Sequence, residues 1–473
     1  MMFYPEDCYN TTISINPIIT IPKGAKIKNT EITCKSQKLL VECGLVRPTG
    51  AGLFALLPLA RRALDKLEAL VVSCLEEAGA QRVSLPSLTL ARLWQATGRL
   101  DDVGAELLKV EDRHGKKFLL APTHEEAVSE LLADVGPLSH RQLPLTLYQI
   151  TNKYRDEHRP KHGLLRAREF AMMDAYSVHR SEQCARATYE RLTAAYSKLF
   201  ARLDLPVHRV AAPCGDMGGS VSHEWQLPAR AGEDALALCA SCSHAALAPP
   251  PSPASPAACP RCGAPTDTTN SIEVGHTFIL GDRYSVPLKA HCQPAEGGPA
   301  PLLMACYGIG ITRLLAAGVE ALSSETALRW PRGLAPYRVL LIGPKEGSRE
   351  WLDGGRARAE ALAGALAGAG AGAERELLVD DRHALTVGKR LLQADRMGYP
   401  HVVVCGRSSL ESPPRYELHS LGARGAAGAR GARGAPALLT ADELLRALAD
   451  HTEETENKAV AYYTLFLLTC LHQ

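Results

Sequence analysis

YRDEHRPKHGLLRAREF, residues 154–170, is the stretch from which the rest of the chain can be read. LPLTLYQITNKYRDE leads into it and REFAMMDAYSV leads out, and both runs are rich in β-formers, so they predict two strands joined by a polar loop. The outgoing strand presents Arg155 and Glu157 on one face, the loop carries Arg159, Lys161 and Arg166, and the return strand brings Arg168 and Phe170. A guanidinium offers phosphate a planar fork of donors, an aromatic ring stacks on a base, and a carboxylate accepts from an amino group. A charge run is more often a solvated face. Here the order of strand, loop and strand, with the aromatic at its end, points instead to a polyphosphate-bearing nucleotide.

Working outward, Leu64, Leu67, Val71 and Leu75 recur at three- and four-residue steps, which predicts a long amphipathic helix from Leu59 to Gly79. Val83 to Leu88 reads as a strand interrupted by Pro86. Helical patterns around Glu125–Ala133 and Cys184–Leu203 bracket the hairpin, so helix and strand segregate as in α+β folds. After Pro336 the pattern alternates: strands at Tyr337–Ile342, Glu376–Val379 and His401–Cys405 enclose helices at Gly355–Leu366 and Val387–Met397, which is βαβαβ with a parallel sheet. The boundaries follow as an extension at 1–32, a first domain at 33–334 with an insert at about 228–272, an α/β domain at 335–450 and a tail at 451–473.

At 473 residues the chain has room for about three domains of roughly 150 residues. Its 46% apolar and 22% charged content exclude disorder along the whole length, and a formal charge of +2 supplies no global field for nucleic acid. The run Ala459–Leu471 is shorter than the roughly 20 residues that span a bilayer, so no membrane partner is expected. Fourteen cysteines without a preceding signal peptide suit a reducing compartment. Residues 1–32 contain no Arg and carry Glu6, Asp7 and Glu31, a poor match to a mitochondrial transit segment. Residues 249–256 read as a Pro-rich loop and GARGAAGARGARGA, residues 422–435, as a flexible basic one.

Set beside these motifs, YRDE and RAREF resemble motif 2 of the class II aminoacyl-tRNA synthetases, and CYGIGITRLLAAGVE, residues 306–320, resembles motif 3. The helix from Leu59 to Gly79 with the strand ending at Pro86 resembles motif 1, and three motifs in order are a far more specific signal than one. GLVRPTGAGLFALLPLARRAL, LWQATGRL, APTHEE, RQLPLTLYQITNKYRDEHRP, GGSVSHEW and EVGHTF narrow the resemblance to prolyl-tRNA synthetases of the bacterial type, as found in mitochondria, over about residues 34 to 420.

The resemblance implies an α+β class II catalytic core, an antiparallel sheet flanked by helices, followed by an α/β anticodon-binding domain. It implies ATP, Mg2+, L-proline and tRNA(Pro) as ligands, a homodimer formed through the motif 1 helix, and the mitochondrial matrix as location. Arg155 and Arg313 match the catalytic arginines, and Glu157, Arg166, Arg168, Phe170 and Glu224 the ATP contacts. Thr123, Glu125, Arg155, His276 and Gly308 match the proline pocket, and His223 belongs with Glu224 to the SHEW signature. Thr123 and Glu125 fit equally well as a helix cap with a first-turn acid, and the two roles are compatible. Ala121 and Ala167 stand where the family usually has Gly, Met173 where it has Lys, and Lys161 and His162 where Arg and Phe are usual. No core motif residue is lost, so activity is expected, with loop affinity for ATP or tRNA altered.

Cys239-x-x-Cys242 and Cys259-x-x-Cys262 have the spacing of a structural zinc site. Bacterial-type relatives carry a hydrolytic editing domain where this insert stands, and so short an insert cannot house one, which predicts leakage toward alanine. DDRHALTVGKRLLQADRMGYPHVVV resembles the shared anticodon-binding domain, with Arg382 and Lys389 the candidate tRNA contacts beside Asp381 and Arg390. A non-catalytic nucleic-acid-binding protein on the same fold is the alternative reading, but such proteins lose the motif 2 and motif 3 arginines, which this chain keeps. A threonine enzyme would want metal ligands in its pocket, where APTHEE and EVGHTF stand.

Overall fold

Proline is the first residue of the helix α1 (Pro58–Glu77), where its missing N–H costs nothing, and Ala63, Leu64, Leu67, Val71 and Leu75 form one buried stripe along it. Further along the chain come α2 (Glu125–Val135), α3 (Glu182–Arg202) and α4 (Ile311–Leu322). In this computed structural model residues 13–15, 32–248, 258–370, 373–421 and 435–449 are described. The expectations for residues 249–256, for nearly all of the basic repeat at 422–435, for most of 1–32 and for the tail at 451–473 lie outside them.

A nine-stranded sheet forms the centre of the first domain. Its strands are β1 (Gln81–Arg82), β2 (Leu145–Tyr154), β3 (Glu169–His179), β4 (His208–Ala211), β5 (Val221–Pro228), β6 (Asp234–Leu238), β7 (Ala245–Leu247), β8 (Asp267–Gly281) and β9 (Leu303–Gly310). The main path runs β4-β5-β8-β9-β3-β2-β1, with β6 added to β8 and β7 to β6; every pair is antiparallel except β1 with β2. One face carries Tyr148, Met173, Ala175, Tyr307 and Ile309 into a core shared with α1, α3 and α4. On the other face Tyr176, Phe278, Met304 and Cys306 pack against Val128 and Leu132 of α2, and only the part beyond this cluster is left for polar groups.

The α+β expectation is met, with one strand corrected. Val83 to Leu88 is not a strand: β1 ends at Arg82 and a separate strand begins at Leu88. Pro86 has no donor for a ladder, and the Gln149 side chain takes the Leu85 N–H instead, at 3.0 Å.

In the second domain β10 (Val339–Ile342), β11 (Leu377–Asp380) and β12 (His401–Val404) are parallel, with α5 (Arg356–Ala367) and α6 (Val387–Met397) as crossovers. The expected parallel sheet gains an antiparallel edge from β13 (Tyr416–Ser420) and β14 (Ala437–Leu439). Ile13–Ser14 joins the opposite edge, parallel to β11, so the N-terminal extension contributes a strand to the C-terminal domain. The two domains are pinned together by Lys66 Nζ, which meets Ala335 O at 2.7 Å and Glu376 at 2.6 Å, and by Trp330 Nε1, which donates to Met397 O at 2.9 Å.

Candidate active site

Glu224, His276, Gly308, Asp174 and Gln149 fall side by side on adjacent strands of the antiparallel sheet and therefore share its open face. His276 stacks on Phe278 at 4.0 Å, receives or gives a hydrogen bond with Ser222 Oγ at 2.7 Å, and meets Glu273 through Nδ1 at 2.9 Å. Burial opposes the charge of Glu273, but His276 and Arg313 outweigh it and hold the carboxyl below its ordinary value. Glu224 shows the opposite result: burial raises it, though Gln226 Nε2 donates to Glu224 at 2.8 Å. A side chain at Gly308 would meet only His276 O and Met172 Sδ at ordinary contact distance, so this position leaves the floor of the face open.

One wall is the start of α2. Thr123 Oγ1 donates to Glu125 at 2.6 Å, and the Tyr176 hydroxyl accepts from His124 N and donates to Asp174, each at 2.8 Å. Arg99 lies between Glu126 at 3.0 Å and Glu125 at 3.6 Å, with its guanidinium over the Trp94 ring. Asp174 and Lys153 form a buried pair at 2.6 Å. Burial opposes ionisation of Asp174, yet His124, Lys153 and Gln149 hold its carboxyl below the ordinary value. Two acceptors, Thr123 and Glu125, are thus fixed at the mouth of a buried charge network.

Above this floor stand the two motif arginines. Arg313 Nε donates to Leu165 O at 2.9 Å and its head group lies 3.5 Å from Glu273. The Arg155 guanidinium sits over the Phe170 ring at 5.3 Å, and among the described residues no carboxylate lies within ion-pairing distance of it. Burial and the neighbouring Arg313 both disfavour its charge. Glu273 and Glu106 act the other way from a greater distance, and a positive charge with no ion-pair partner among the described residues has the chemistry to attract an anion.

The hairpin differs from the expectation in one respect: β2 ends at Tyr154, so Arg155 and Glu157 lie beyond the strand. Arg155 N still donates to Arg168 O at 2.9 Å, but Asp156 N turns away to Glu106 O at 2.8 Å and the ladder stops. Glu157 accepts from Arg166 Nε at 2.7 Å and Arg168 Nε donates to the Glu157 carbonyl at 3.0 Å. Arg155, Glu157, Arg166 and Arg168 therefore hang on a braced loop rather than on strand edges, while Phe170 lies at the start of β3.

The family model described as "tRNA synthetase class II core domain (G, H, P, S and T)" matches residues 108–322. The human "Probable proline--tRNA ligase, mitochondrial" is 46% identical over 395 residues, covering 83% of this chain and 82% of that protein. "Proline--tRNA ligase" of Sulfurimonas denitrificans is 35% identical over 402 residues, covering 81% of this chain and 90% of its own length. The chain belongs to the prolyl-tRNA synthetase family. In fold it is similar to the Giardia lamblia prolyl-tRNA synthetase solved with prolyl-adenylate, at a TM-score of 0.72, 16% identity and coverage of 90% of this chain and 81% of that one.

Arg99, Glu126, Lys153 and Glu273 fall within LWQATGRL, APTHEE, RQLPLTLYQITNKYRDEHRP and EVGHTF, and Asp174 within REFAMMDAYSV, but the motifs assign none of the five a role. A period-two reading of REFAMMDAYS does place Asp174 on the face of Phe170, whereas Arg99 and Lys153 find their acids only through tertiary packing. Met173, where prolyl-tRNA synthetases usually have Lys, is fully buried on the helix side of the sheet. That departure acts on the core and not on the loop. His223 meets the Tyr189 hydroxyl at 2.8 Å, beneath the sheet rather than in the pocket.

The four insert cysteines converge. Cys239 and Cys262 sulfurs are 3.5 Å apart, those of Cys242 and Cys259 3.6 Å, and all four lie within 4.8 Å of one another. Tetrahedral zinc with Zn–S near 2.3 Å requires sulfurs about 3.8 Å apart, so the set fits the ion. In the second domain Arg382 is held by both oxygens of Asp380, at 2.9 and 2.6 Å, and by Gln393, and the fully buried Arg390 donates to Asp380 O and Gly343 O. Lys389 alone of the three basic candidates is exposed.

Proposed function

We propose that this chain activates L-proline with ATP and transfers it to tRNA(Pro). The observation that carries the reading is Arg155, a guanidinium with no carboxylate within ion-pairing distance among the described residues, beside a face floored by Gly308 and walled by Thr123 and Glu125. Proline's carboxylate attacks the α-phosphorus of ATP and pyrophosphate leaves; the terminal ribose hydroxyl of the tRNA then attacks the carbonyl and AMP leaves. No protein nucleophile is needed, so the work is positioning and charge neutralisation.

In this reading Arg155 spans the α-phosphate and the proline carboxylate, and Arg313 closes over the nucleotide. Thr123 and Glu125 accept from the secondary ammonium, which cannot be buried without such partners. His276, held by Ser222 and Glu273, walls the ring against Phe278. Phe170 and Glu157 face the base, with Arg166 and Arg168 toward the phosphates. Glu224, with Glu273 beside it, would supply oxygen ligands of the kind Mg2+ takes. Lys389 is the exposed cation left for the anticodon, while Arg382 serves the fold first.

The finer assignments are a homodimer through α1 and residence in the mitochondrial matrix, the latter supported by the mitochondrial names of the human, rat and mouse relatives. Among the described residues no helix is long and apolar enough to cross a membrane. A non-hydrolysable prolyl-adenylate analogue tests the reading directly. It should raise the melting temperature strongly, the seryl analogue should not, and equal shifts from both would contradict the assignment.

A further inference from the structure

The excursion between β5 and β8, residues 229–266, is of a size that rarely holds its own fold, since below about 40 residues a metal, disulfide or partner is usually required. Its described residues pack about β6, which pairs with both β7 and β8. β6 runs antiparallel to β8 from Asp234 opposite Ser271 to Leu238 opposite Asp267.

At one end of β6 is the cysteine cluster. Ser243 N donates to Cys239 O at 2.9 Å and Gly263 N to Cys259 O at 2.8 Å, two matching turns that bring each Cys-x-x-Cys pair round on itself. Ser243 and Gly263 both take positive φ there, at +57° and +73°. Cys239 and Cys259 are buried, and all four cysteines are free thiols. Four sulfurs within 4.8 Å of one another can close around one ion, and a closed set of thiolates with no open position is the chemistry of structural Zn2+.

At the other end is Glu233. Its carboxylate meets Arg166 at 2.7 Å and Lys161 at 2.8 Å, two cations of the loop that carries Arg155. The turn before it is tied to β8, because the Asn270 side chain donates to Gly232 O at 3.0 Å and a Cβ at Gly232 would lie 2.0 Å from Ser271 O. The next residue, Asp234, accepts from Gln226, which also donates to Glu224. Lys161, one of the departures from the family wording, is therefore one of the two cations that dock on the insert.

We propose that Cys239, Cys242, Cys259 and Cys262 hold one Zn2+, and that this ion, by fixing β6, presents Glu233 to Lys161 and Arg166 and so sets the position of the nucleotide-facing loop. The metal part rests on the four thiolates alone; the loop part rests on the ATP reading given above. Without the ion β6 keeps its ladder to β8 as far as Leu238 opposite Asp267, but the two cysteine turns lose the link that joins them, and the brace through Glu233 is held less firmly.

The test uses the full chain. Metal content is measured by mass spectrometry, ATP affinity by equilibrium dialysis with Mg2+, and the proline KM by pyrophosphate exchange. The expected result is one zinc per chain, lost in Cys242→Ser/Cys262→Ser, with ATP binding weakened and the proline KM within about twofold. Glu233→Gln should keep its zinc and still weaken ATP binding by about fivefold, the scale of two half-exposed ion pairs. This second variant decides the brace even where the serine variant fails to fold. Absence of zinc, iron in its place, or unchanged ATP affinity in Glu233→Gln would overturn the proposal. Normal zinc and ATP binding with no proline-dependent exchange would instead count against the proline reading and leave the brace standing.

Discussion

Arg155, just beyond the end of β2, and Asp174, on β3, are both charged groups of the candidate site, and they do different work. Among the described residues Arg155 has no carboxylate within ion-pairing distance, so Arg155→Ala should lower the rate of adenylate formation by about 10²–10³-fold while the fold is kept, as circular dichroism would report. Asp174 is committed to Lys153 and Tyr176, so Asp174→Asn should destabilise the chain by about 3–5 kcal/mol, measured by urea unfolding. The pH dependence has a definite sign. The Asp174 carboxyl lies below its ordinary 3.8, so its contribution is complete above that pH and is lost as pH falls through the lower, folded-state value. Asp174→Asn should flatten that acid limb of the stability curve. The sequence disclosed Arg155, Thr123, Glu125 and His276 because they sit in short motifs whose chemistry is local. It hid the Lys153–Asp174 and Arg99–Glu126 pairs, because neither residue type announces which acid the fold will bring to it.

Periodicity carried the elements. The stripe of α1 was readable at three- and four-residue steps, and Leu67, fully buried at its centre, shows its cost: Leu67→Ala should lose about 2–5 kcal/mol in the same unfolding measurement. The β-formers of Val83–Leu88 suggest a strand, but the Leu85 N–H goes to a side chain and Pro86 has no donor, so no ladder forms there. The insert was legible as cysteine spacing but not as structure. β8 runs unbroken from Asp267 through Glu273 and His276 to Gly281, so the insert and the pocket wall are one strand, a continuity that no local pattern marks.

For the molecule as a whole, the division into an α+β core and a parallel α/β domain followed from where helices and strands segregate and where they alternate. What could not be foreseen was the return of Ile13–Ser14 to the far domain, since a two-residue strand has no period to read. The junction is narrow at Gly398, which ends α6 at φ +71° with Leu328 O only 2.5 Å from where a Cβ would stand. Gly398→Ala should lower the melting temperature by several degrees, on the order of 1–3 kcal/mol of strain. Residues 229–266 leave no room for a hydrolytic editing domain, so alanine should be activated about 10²-fold less efficiently than proline and alanyl-tRNA should accumulate, a product that charging assays resolve. Proline-dependent exchange of pyrophosphate into ATP on the purified chain beside Arg155→Ala is the most direct test of the Arg155 site. Exchange with proline that disappears in the variant is the predicted result; exchange that survives loss of Arg155, or a folded wild-type chain silent with proline, would contradict it.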